Sequence, residues 1–273
     1  MIDFKQLAKA GVHFGHQTSR WNPKMAPFIW GERSGVHLVD VSKTAIQLEK
    51  AAQFLETLAS EGKQILWVGT KKAAQPMIEQ AGKAGMPFIV HRWIGGTLTN
   101  NPQVRKSVTK LLHFEDIISK ADQTPYSKKE LNTYQKLIER LQKNIGGIRT
   151  LRWPIGAVVL VDVRKEQTAL REAQAMDIPV VALVDTNCDP TGVSHIIPGN
   201  DDSPKAIKII MEYLVAAAQR GLDKAAQKAV KPEGLDVVTA AASEKPEEIR
   251  IAGFEEVEED GAKKKGRSRK KTA

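Results

Sequence analysis

The stretch IGAVVLVDV, residues 155–163, is apolar at almost every position and is short enough to be a single strand. Continuous rather than alternating apolarity is typical of a strand buried on both faces, as in a parallel sheet. Four further stretches share this character, the last more weakly: KQILWVG (63–69), MPFIV (86–90), IPVVALVD (178–185) and VSHIIPG (193–199). The sequence therefore predicts a parallel sheet built from these segments.

Amphipathic stretches alternate with the predicted strands. Ser42 is expected to cap a helix that runs to about Glu61, with one apolar stripe formed by Ala45, Leu48, Ala52, Leu55 and Leu58. Further helices are expected over residues 71–84, 166–175 and 204–221, with Ser203 capping the last and Gly221 ending it. Such alternation predicts a doubly wound α/β fold with helices on both faces of the sheet.

One insertion, residues 103–146, interrupts the alternation. It carries two sets of apolar residues at heptad-like spacing on either side of the turn sequence DQTPYS: Val104, Val108, Leu111 and Ile118, then Leu131, Tyr134, Ile138, Leu141 and Ile145. We therefore predict an antiparallel, coiled-coil helical hairpin inserted into the sheet domain. Its basic residues have two explanations, a solvated surface or an arm that grips a folded nucleic acid, and the charge of the chain favours the second.

The 273-residue chain has a formal net charge of +9 and a single cysteine, Cys188. The charge indicates an acidic partner such as nucleic acid. The lone cysteine excludes an intramolecular disulfide, and we expect a cytoplasmic protein with no membrane anchor. Residues 1–222 are predicted to form the folded domain. In residues 223–273, EEVEED precedes KKKGRSRKK, and this segregation of charge predicts a disordered tail.

Motifs for catalysis are weak. The turn after the first predicted strand has one glycine and neither a dinucleotide-binding nor a P-loop pattern, although free N–H groups at Thr70 and Lys71 could bind phosphate. Four late aspartates could bind a divalent cation or cap helices and turns, and we favour capping: Asp185, Asp189, Asp201 and Asp202. We expect Cys188 to be a buried thiol, no metal or cofactor to be needed, and no enzymatic activity. The alternative is a nucleotide- or metal-dependent α/β enzyme that uses the crevice at the strand ends.

Two loops combine basic, amide and aromatic side chains around glycines. They are GVHFGHQTSRWNPKM (11–25) and HRWIGGTLTNNP (91–102). Arginine and lysine neutralise phosphates, amides and hydroxyls bind sugar and phosphate oxygens, and rings can stack on bases. For Trp21 and Trp93, packing in the core is as plausible as stacking on RNA. We predict an RNA-binding set in these loops and at the start of the hairpin: His13, His16, Arg20, Asn22, Lys24, Arg92, Thr97, Asn100, Asn101, Arg105, Lys106 and Lys110.

Five blocks together closely resemble one family, the second protein of the bacterial small ribosomal subunit. The blocks are GVHFGHQTSRWNPKM, VHLVDVSKT, VGTKKAAQ, HRWIGGTLTN and PVVALVDTNCDP, and the resemblance runs from about residue 2 to 222. It implies a flavodoxin-like, five-stranded parallel sheet of order 2-1-3-4-5, with the hairpin inserted after the second strand. It also implies a structural role in translation, without enzymatic activity. The implied partners are small-subunit ribosomal RNA and other ribosomal proteins, including the large mRNA-binding protein built of OB-type repeats. On this basis, Phe14 and Trp21 are expected to pack the first loop against the domain, while Arg20 and Lys24 face RNA.

Overall fold

The computed structural model, which describes residues 3–120 and 126–230, has a five-stranded parallel sheet at its centre. The strands are β4 (Gln64–Val68), β5 (Phe88–Ile89), β6 (Ile155–Val161), β7 (Val180–Val184) and β8 (His195–Pro198). Their spatial order is β5-β4-β6-β7-β8, and every neighbouring pair is parallel. Counted among the parallel strands alone, this order is 2-1-3-4-5. The five stretches predicted as strands and the order implied by the resemblance are both confirmed.

The central strand β6 shows why the sequence lacks alternation. All seven of its residues are buried. Because successive side chains point to opposite faces, Val159 and Val161 enter one core, whereas Val158 and Leu160 enter the other. A strand with a core on each side has no polar face, and its sequence is accordingly apolar throughout.

Helices cover both faces of the sheet, as a doubly wound fold requires. The helices are α1 (Phe4–Lys9), α2 (Val41–Ser60), α3 (Gln75–Lys83), α4 (Asn101–Ser119), α5 (Lys128–Ile145), α6 (Gln167–Ala175) and α7 (Pro204–Val230). Residues of α2, α3 and α7 share the first core, and residues of α6 and of the hairpin share the second. Among the described residues, no helix is long and apolar enough to cross a membrane.

The predicted hairpin is present as α4 and α5, which pack against each other after the second parallel strand, β5. The seam residues Leu111 and Ile138 are almost fully buried, and Phe114 stacks on Tyr134 with ring centroids 5.2 Å apart. Ser127 begins α5 through a capping box with Glu130. Part of the predicted turn, residues 121–125, lies outside the described residues.

A second, antiparallel sheet was not predicted. It consists of β1 (Phe14–Gln17), β3 (Val36–Val39) and β2 (Ile29–Arg33), in the order β1-β3-β2. Ser34 and Gly35 connect β2 to β3, and both have positive φ (54° and 75°), as a tight two-residue hairpin turn requires. In the sequence, the dipeptide Ser-Gly between two segments of mixed apolar and polar residues was the feature that could have predicted this turn.

Two predicted helix starts shift. Asp40 rather than Ser42 caps α2, because its carboxylate accepts hydrogen bonds from the backbone N–H groups of Ser42 and Lys43. All five stripe residues of that helix are buried, as predicted. α3 begins at Gln75 rather than Lys71, so that Lys71 lies in the turn before the helix.

Gly221 does not end the last helix, which continues to Val230. A Cβ at Gly221 would lie 2.4 Å from the backbone oxygen of Glu56 and 2.6 Å from Cβ of Ala59. The glycine therefore permits close packing of α7 on α2 instead of terminating α7. The predicted boundary at 222 consequently falls inside a helix. Of the predicted disordered tail, residues 223–273, the first eight are helical and residues 231–273 lie outside the described part of the chain.

Candidate functional site

The N-terminal segment, residues 11–25, is attached to the carboxyl-end edge of the parallel sheet. Thr186, which follows β7, binds it twice: its Oγ1 accepts a hydrogen bond from the backbone N–H of His16 at 2.9 Å, and its backbone oxygen accepts one from Asn22 at 2.8 Å. Gly15 allows this approach, since a Cβ there would lie 2.6 Å from Cγ2 of Thr186. The opening stretch is therefore an ordered layer over the strand ends.

The residues that anchor this segment differ from those expected. Val12 and Met25 are fully buried, whereas Phe14 is 50% exposed and Trp21 is 38% exposed. The expectation that Phe14 packs the loop against the domain is therefore wrong, whereas the Trp21 ring lies 5.1 Å from the ring of His37 on β3. The register of β1 against β3 shifts between Phe14 and Gln17, which breaks the regular alternation and leaves both of these residues exposed with two partly buried residues between them.

His16 is used inside the protein. Its Nδ1 lies 3.2 Å from Oδ2 of Asp185, and its Nε2 lies 3.2 Å from Oδ2 of Asp202. Hydrogen bonding to Asp185 and the charges of the surrounding aspartates outweigh burial and raise the pKa of His16. In its protonated form the ring joins β1 to the loops after β7 and β8, with one carboxylate oxygen 3.2 Å from each of its nitrogens.

Lys71 lies beside this pair and is the main cation of the strand-end crevice. Its Nζ is 2.8 Å from Oδ1 of Asp201 and 3.5 Å from Oδ2 of Asp162, and it also pairs with Asp202. Burial alone would lower the pKa of Lys71, but its hydrogen bonds to Asp201 and Asp202 raise it. The proposed phosphate-binding turn at Thr70–Lys71 is thus tied to carboxylates.

The crevice between the ends of β4 and β6 is where a fold of this strand order binds phosphates, because the connections leave the sheet in opposite directions there. Here it holds more carboxylates than cations. The buried Glu166 also accepts hydrogen bonds from the backbone N–H and the hydroxyl of Thr70. This arrangement disfavours an anionic nucleotide, because its phosphates would face Asp162 and Asp201.

Two groups of side chains at this edge could hold a cation by their spacing. His16, Asp185 and Asp201 place ligand atoms within 4.8 Å of one another, and so do Asp162, Cys188 and Asp201. Burial raises the pKa of the Cys188 thiol to about 12, which disfavours the thiolate that a metal or a nucleophile needs. The same aspartates also make structural bonds: Asp185 accepts hydrogen bonds from the backbone N–H and the hydroxyl of Thr186.

Asp189 lies outside these groups and belongs to a separate contact. Its carboxylate accepts from the backbone N–H and hydroxyl of Thr191 and from Nζ of Lys24, which lies 2.9 Å from Oδ2. These bonds lower the pKa of Asp189 to about 2. Lys24 is still 56% exposed, so it is partly neutralised but accessible.

The second predicted loop, residues 91–102, is organised by Glu172 of α6. This buried carboxylate accepts hydrogen bonds from Nε1 of Trp93 and the backbone N–H of Gly96, both at 2.9 Å, and from the N–H of Leu98 at 3.0 Å. Trp93 is buried, which decides in favour of packing. No sequence signal marked Glu172, because it lies more than seventy positions from its partners.

Most of the remaining predicted RNA-binding residues are accessible. Thr97 is fully buried and donates its hydroxyl hydrogen to the backbone oxygen of Ile94, so its side chain is withdrawn from the set. His13, Asn22 and Asn101 are partly buried. The exposed members are Arg20, Lys24, Arg92, Asn100, Arg105, Lys106 and Lys110.

Along the described residues of the hairpin, several acidic side chains form internal contacts, whereas most basic side chains form no salt bridge. Glu115 pairs with Arg149, Asp116 pairs with Lys120, and Glu130 caps its own helix. In the described part of the hairpin, the other basic side chains form no salt bridge: Arg105, Lys106, Lys110, Lys128, Lys129, Lys136, Arg140 and Lys143. The internal contacts of the hairpin therefore leave an excess of accessible positive charge.

Comparison with known protein families agrees with this geometry. The family model described as ribosomal protein S2 matches residues 7–221, which cover the sheet, the hairpin and the N-terminal segment. That family is a structural component of the small ribosomal subunit and acts in translation, so the chain is not an enzyme and the alternative of a nucleotide- or metal-dependent activity is set aside. The chain belongs to the ribosomal protein S2 family.

Proposed function

We propose that this chain binds ribosomal RNA of the small subunit through the exposed cations of its hairpin and loops, in the cytoplasm. The observation that carries the proposal is the excess of unpaired basic side chains on α4 and α5. Exposed cations without internal partners are available to displace the counterions that surround RNA, and this release drives binding.

Both loops carry further exposed cations. Arg20 and Arg92 are exposed, and neither forms a salt bridge within the described residues. Asn100 and Asn101 adjoin the start of α4 and can hydrogen-bond to sugar or phosphate oxygens. His16 contributes indirectly, because its carboxylate contacts fix the segment that carries Arg20.

The test is salt-dependent rebinding of the purified chain to small subunits that lack it. If about six phosphates are neutralised, affinity should fall by about 10³ between 50 and 200 mM salt. Partly assembled particles are required, since the protein surface is expected to match folded RNA rather than a free strand. An affinity that does not change with salt would refute electrostatic docking.

We further propose that the chain helps to hold the large mRNA-binding protein built of OB-type repeats, as the resemblance implies. Trp30 is the surface residue that supports such a contact, because it is 73% exposed on β2, an edge strand of the small sheet. Exposed tryptophans are frequent anchors of protein interfaces.

The matched experiment for this partner compares Trp30→Ala with the wild-type chain in reconstituted subunits. We expect Trp30→Ala to enter the subunit normally but to retain less of the OB-repeat protein after sedimentation. Ile46→Ala, which truncates an exposed apolar side chain on α2, is the control. Equal retention of the OB-repeat protein by all three chains would rule out Trp30 as its contact.

A further inference from the structure

A cavity of about 440 Å³ lies beside the carboxyl ends of β6 and β7, and its lining includes neither Asp162 nor Asp201 of the acidic crevice. We name it the α6 cavity. One face of α6 forms a wall of this cavity with Leu170 and Arg171, the segment after β6 adds Val163 and Arg164, and Asn22 reaches it from the N-terminal segment. Its volume falls within the range of about 300–1,000 Å³ that is typical of small-molecule sites.

The charge of the α6 cavity is opposite to that of the crevice. Arg164 and Arg171 are exposed, and neither side chain makes a hydrogen bond or salt bridge to another described residue. The acid that lines the cavity, Asp189, is already bound by Lys24 and Thr191. Two free guanidinium groups therefore meet no competing carboxylate, and an anionic ligand is favoured here.

The rest of the lining indicates more than a phosphate. Val163 and Leu170 provide apolar surface, and amides of Asn22, Asn187 and Gln167 add polar groups. Oδ1 of Asn22 accepts from the backbone N–H of Lys24, which leaves its amide N–H groups free to donate. Apolar surface, planar guanidinium groups and amides are the groups that bind unstacked bases.

We propose that the α6 cavity holds one unpaired nucleotide of ribosomal RNA, with Arg164 and Arg171 contacting its phosphate or base and the amides contacting its base edge. This inference rests on the proposed RNA-binding function and adds a specific site to it. Asn22 lines the cavity and Lys24 donates to Thr191 of its lining, so the nucleotide would lie next to the basic N-terminal segment. No local pattern linked the two arginines to this segment, since they lie more than a hundred positions away along the chain.

The test places a photo-crosslinking residue, p-benzoylphenylalanine, at Gln167 of the full chain. Gln167 is exposed, begins α6 and lines the cavity. The chain is rebuilt into small subunits that lack it, irradiated, and the crosslinked RNA positions are mapped by reverse transcription. We expect crosslinks at one or a few adjacent unpaired nucleotides, and none from a control crosslinker at Lys83 in the last turn of α3.

A second variant tests whether Arg171 contributes to nucleotide binding. Arg171→Gln, combined with the crosslinker at Gln167, should reduce the crosslink yield by about fivefold or more at equal incorporation, because single-base contacts have effects of this size. Millimolar AMP should leave the yield unchanged if the nucleotide is part of the RNA. Loss of the crosslink in AMP would instead indicate a site for free nucleotides and would overturn the proposal.

The remaining outcomes separate the two proposals. Incorporation of the wild-type and crosslinker chains without an RNA crosslink, or with a crosslink only to protein, would overturn the α6 cavity proposal alone. Failure of the wild-type chain to enter the subunit would overturn the RNA-binding function, and the cavity proposal with it.

Discussion

At the scale of single residues, sequence type did not determine whether a polar side chain faces solvent or the protein. His16, Lys24 and Thr97 have the chemistry of RNA contacts, yet His16 and Lys24 pair with aspartates and Thr97 is buried. Their partners, Asp185 for His16 and Asp189 for Lys24, lie more than 160 positions further along the chain. Local patterns predicted the loops, but they could not assign these long-range contacts.

The His16 contact predicts a pH dependence of stability. Because its folded-state pKa is raised, its contribution is fully present below the unfolded value near 6.5 and is lost as pH rises through the folded value. Burial and the charges of Asp185 and Asp162 also raise the pKa of Asp201, to about 7, so its effect has the same sign. We therefore expect the free energy of unfolding to decrease from pH 6 to pH 8.5, and to decrease less in His16→Asn.

Chemical denaturation at several pH values measures this trend. His195→Asn is the matched control, since burial lowers the pKa of His195 and its linkage has the opposite sign. Of the other groups facing His16, the pKa of Lys71 is raised and that of Asp202 is lowered, so both stay charged over this range. Identical pH profiles for the wild type and His16→Asn would contradict the role of the His16 pair.

Gly221 gives a second prediction at residue scale. In Gly221→Ala, the new Cβ would meet the backbone of Glu56, which cannot move away as a flexible side chain would. We expect a loss of about 1–3 kcal/mol in the free energy of unfolding, as for other overpacked sites. In Gly146→Ala, the control, Cβ would have only ordinary contact with Gln142, and the backbone is helical, so stability should stay equal or rise by about 0.4–1 kcal/mol. Equal stabilities of the two variants would show that close packing of α7 on α2 does not require the glycine.

At the scale of elements, a helix or strand could be predicted from the sequence where its own residues carried the pattern. Continuous apolarity marked the five parallel strands, and 3-4 spacing marked α4 and α5, because each pattern is imposed by the element's own geometry. The small sheet was missed because β1 and β2 are short, partly exposed and polar at several positions. The end of α7 was misplaced because the role of Gly221 is set by α2, not by its neighbours in sequence.

The loop between β5 and α4 depends on one buried carboxylate, which leads to a third prediction. Glu172→Gln would replace one acceptor oxygen with an N–H₂ group that faces backbone donors. At least one of the three donors would then lack an acceptor, and we expect a cost of about 1–3 kcal/mol in the free energy of unfolding. Denaturation followed by tryptophan fluorescence reports it, since Trp93 is one of the donors.

The control for this loop is Glu212→Gln on α7. Glu212 is exposed and has only a surface pair with Lys208 at 3.7 Å, so the change should be within about 0.5 kcal/mol. A Glu172→Gln variant as stable as this control would mean that the loop is held by packing alone.

At the scale of the whole molecule, the acidic and the basic side chains have different roles. The carboxylates cluster at the strand-end crevice and are neutralised by Lys71 and His16, so they hold the loops together. Among the described residues, many exposed cations without a salt bridge lie on the hairpin, and Arg20 and Arg92 lie on the two loops, of which residues 91–102 lead directly into α4. Net charge predicted an acidic partner, but only the pairing of individual groups shows which cations are left for that partner.

Separate basic surfaces predict separable contributions to RNA binding. Replacing Arg105, Lys106 and Lys110 by glutamine should reduce the slope of log affinity against log salt by about three, because each phosphate contact contributes about one. Arg20→Gln should reduce it by about one. Because Arg20 and the three hairpin residues lie on different elements and share no salt-bridge partner among the described residues, their effects should add in the combined variant. Lys83→Gln, Lys205→Gln and Lys208→Gln, combined on α3 and α7, remove the same charge as the hairpin triple and should change the slope less. If that control lowers the slope as much as the hairpin triple does, binding depends on net charge alone, and the hairpin is not an RNA contact.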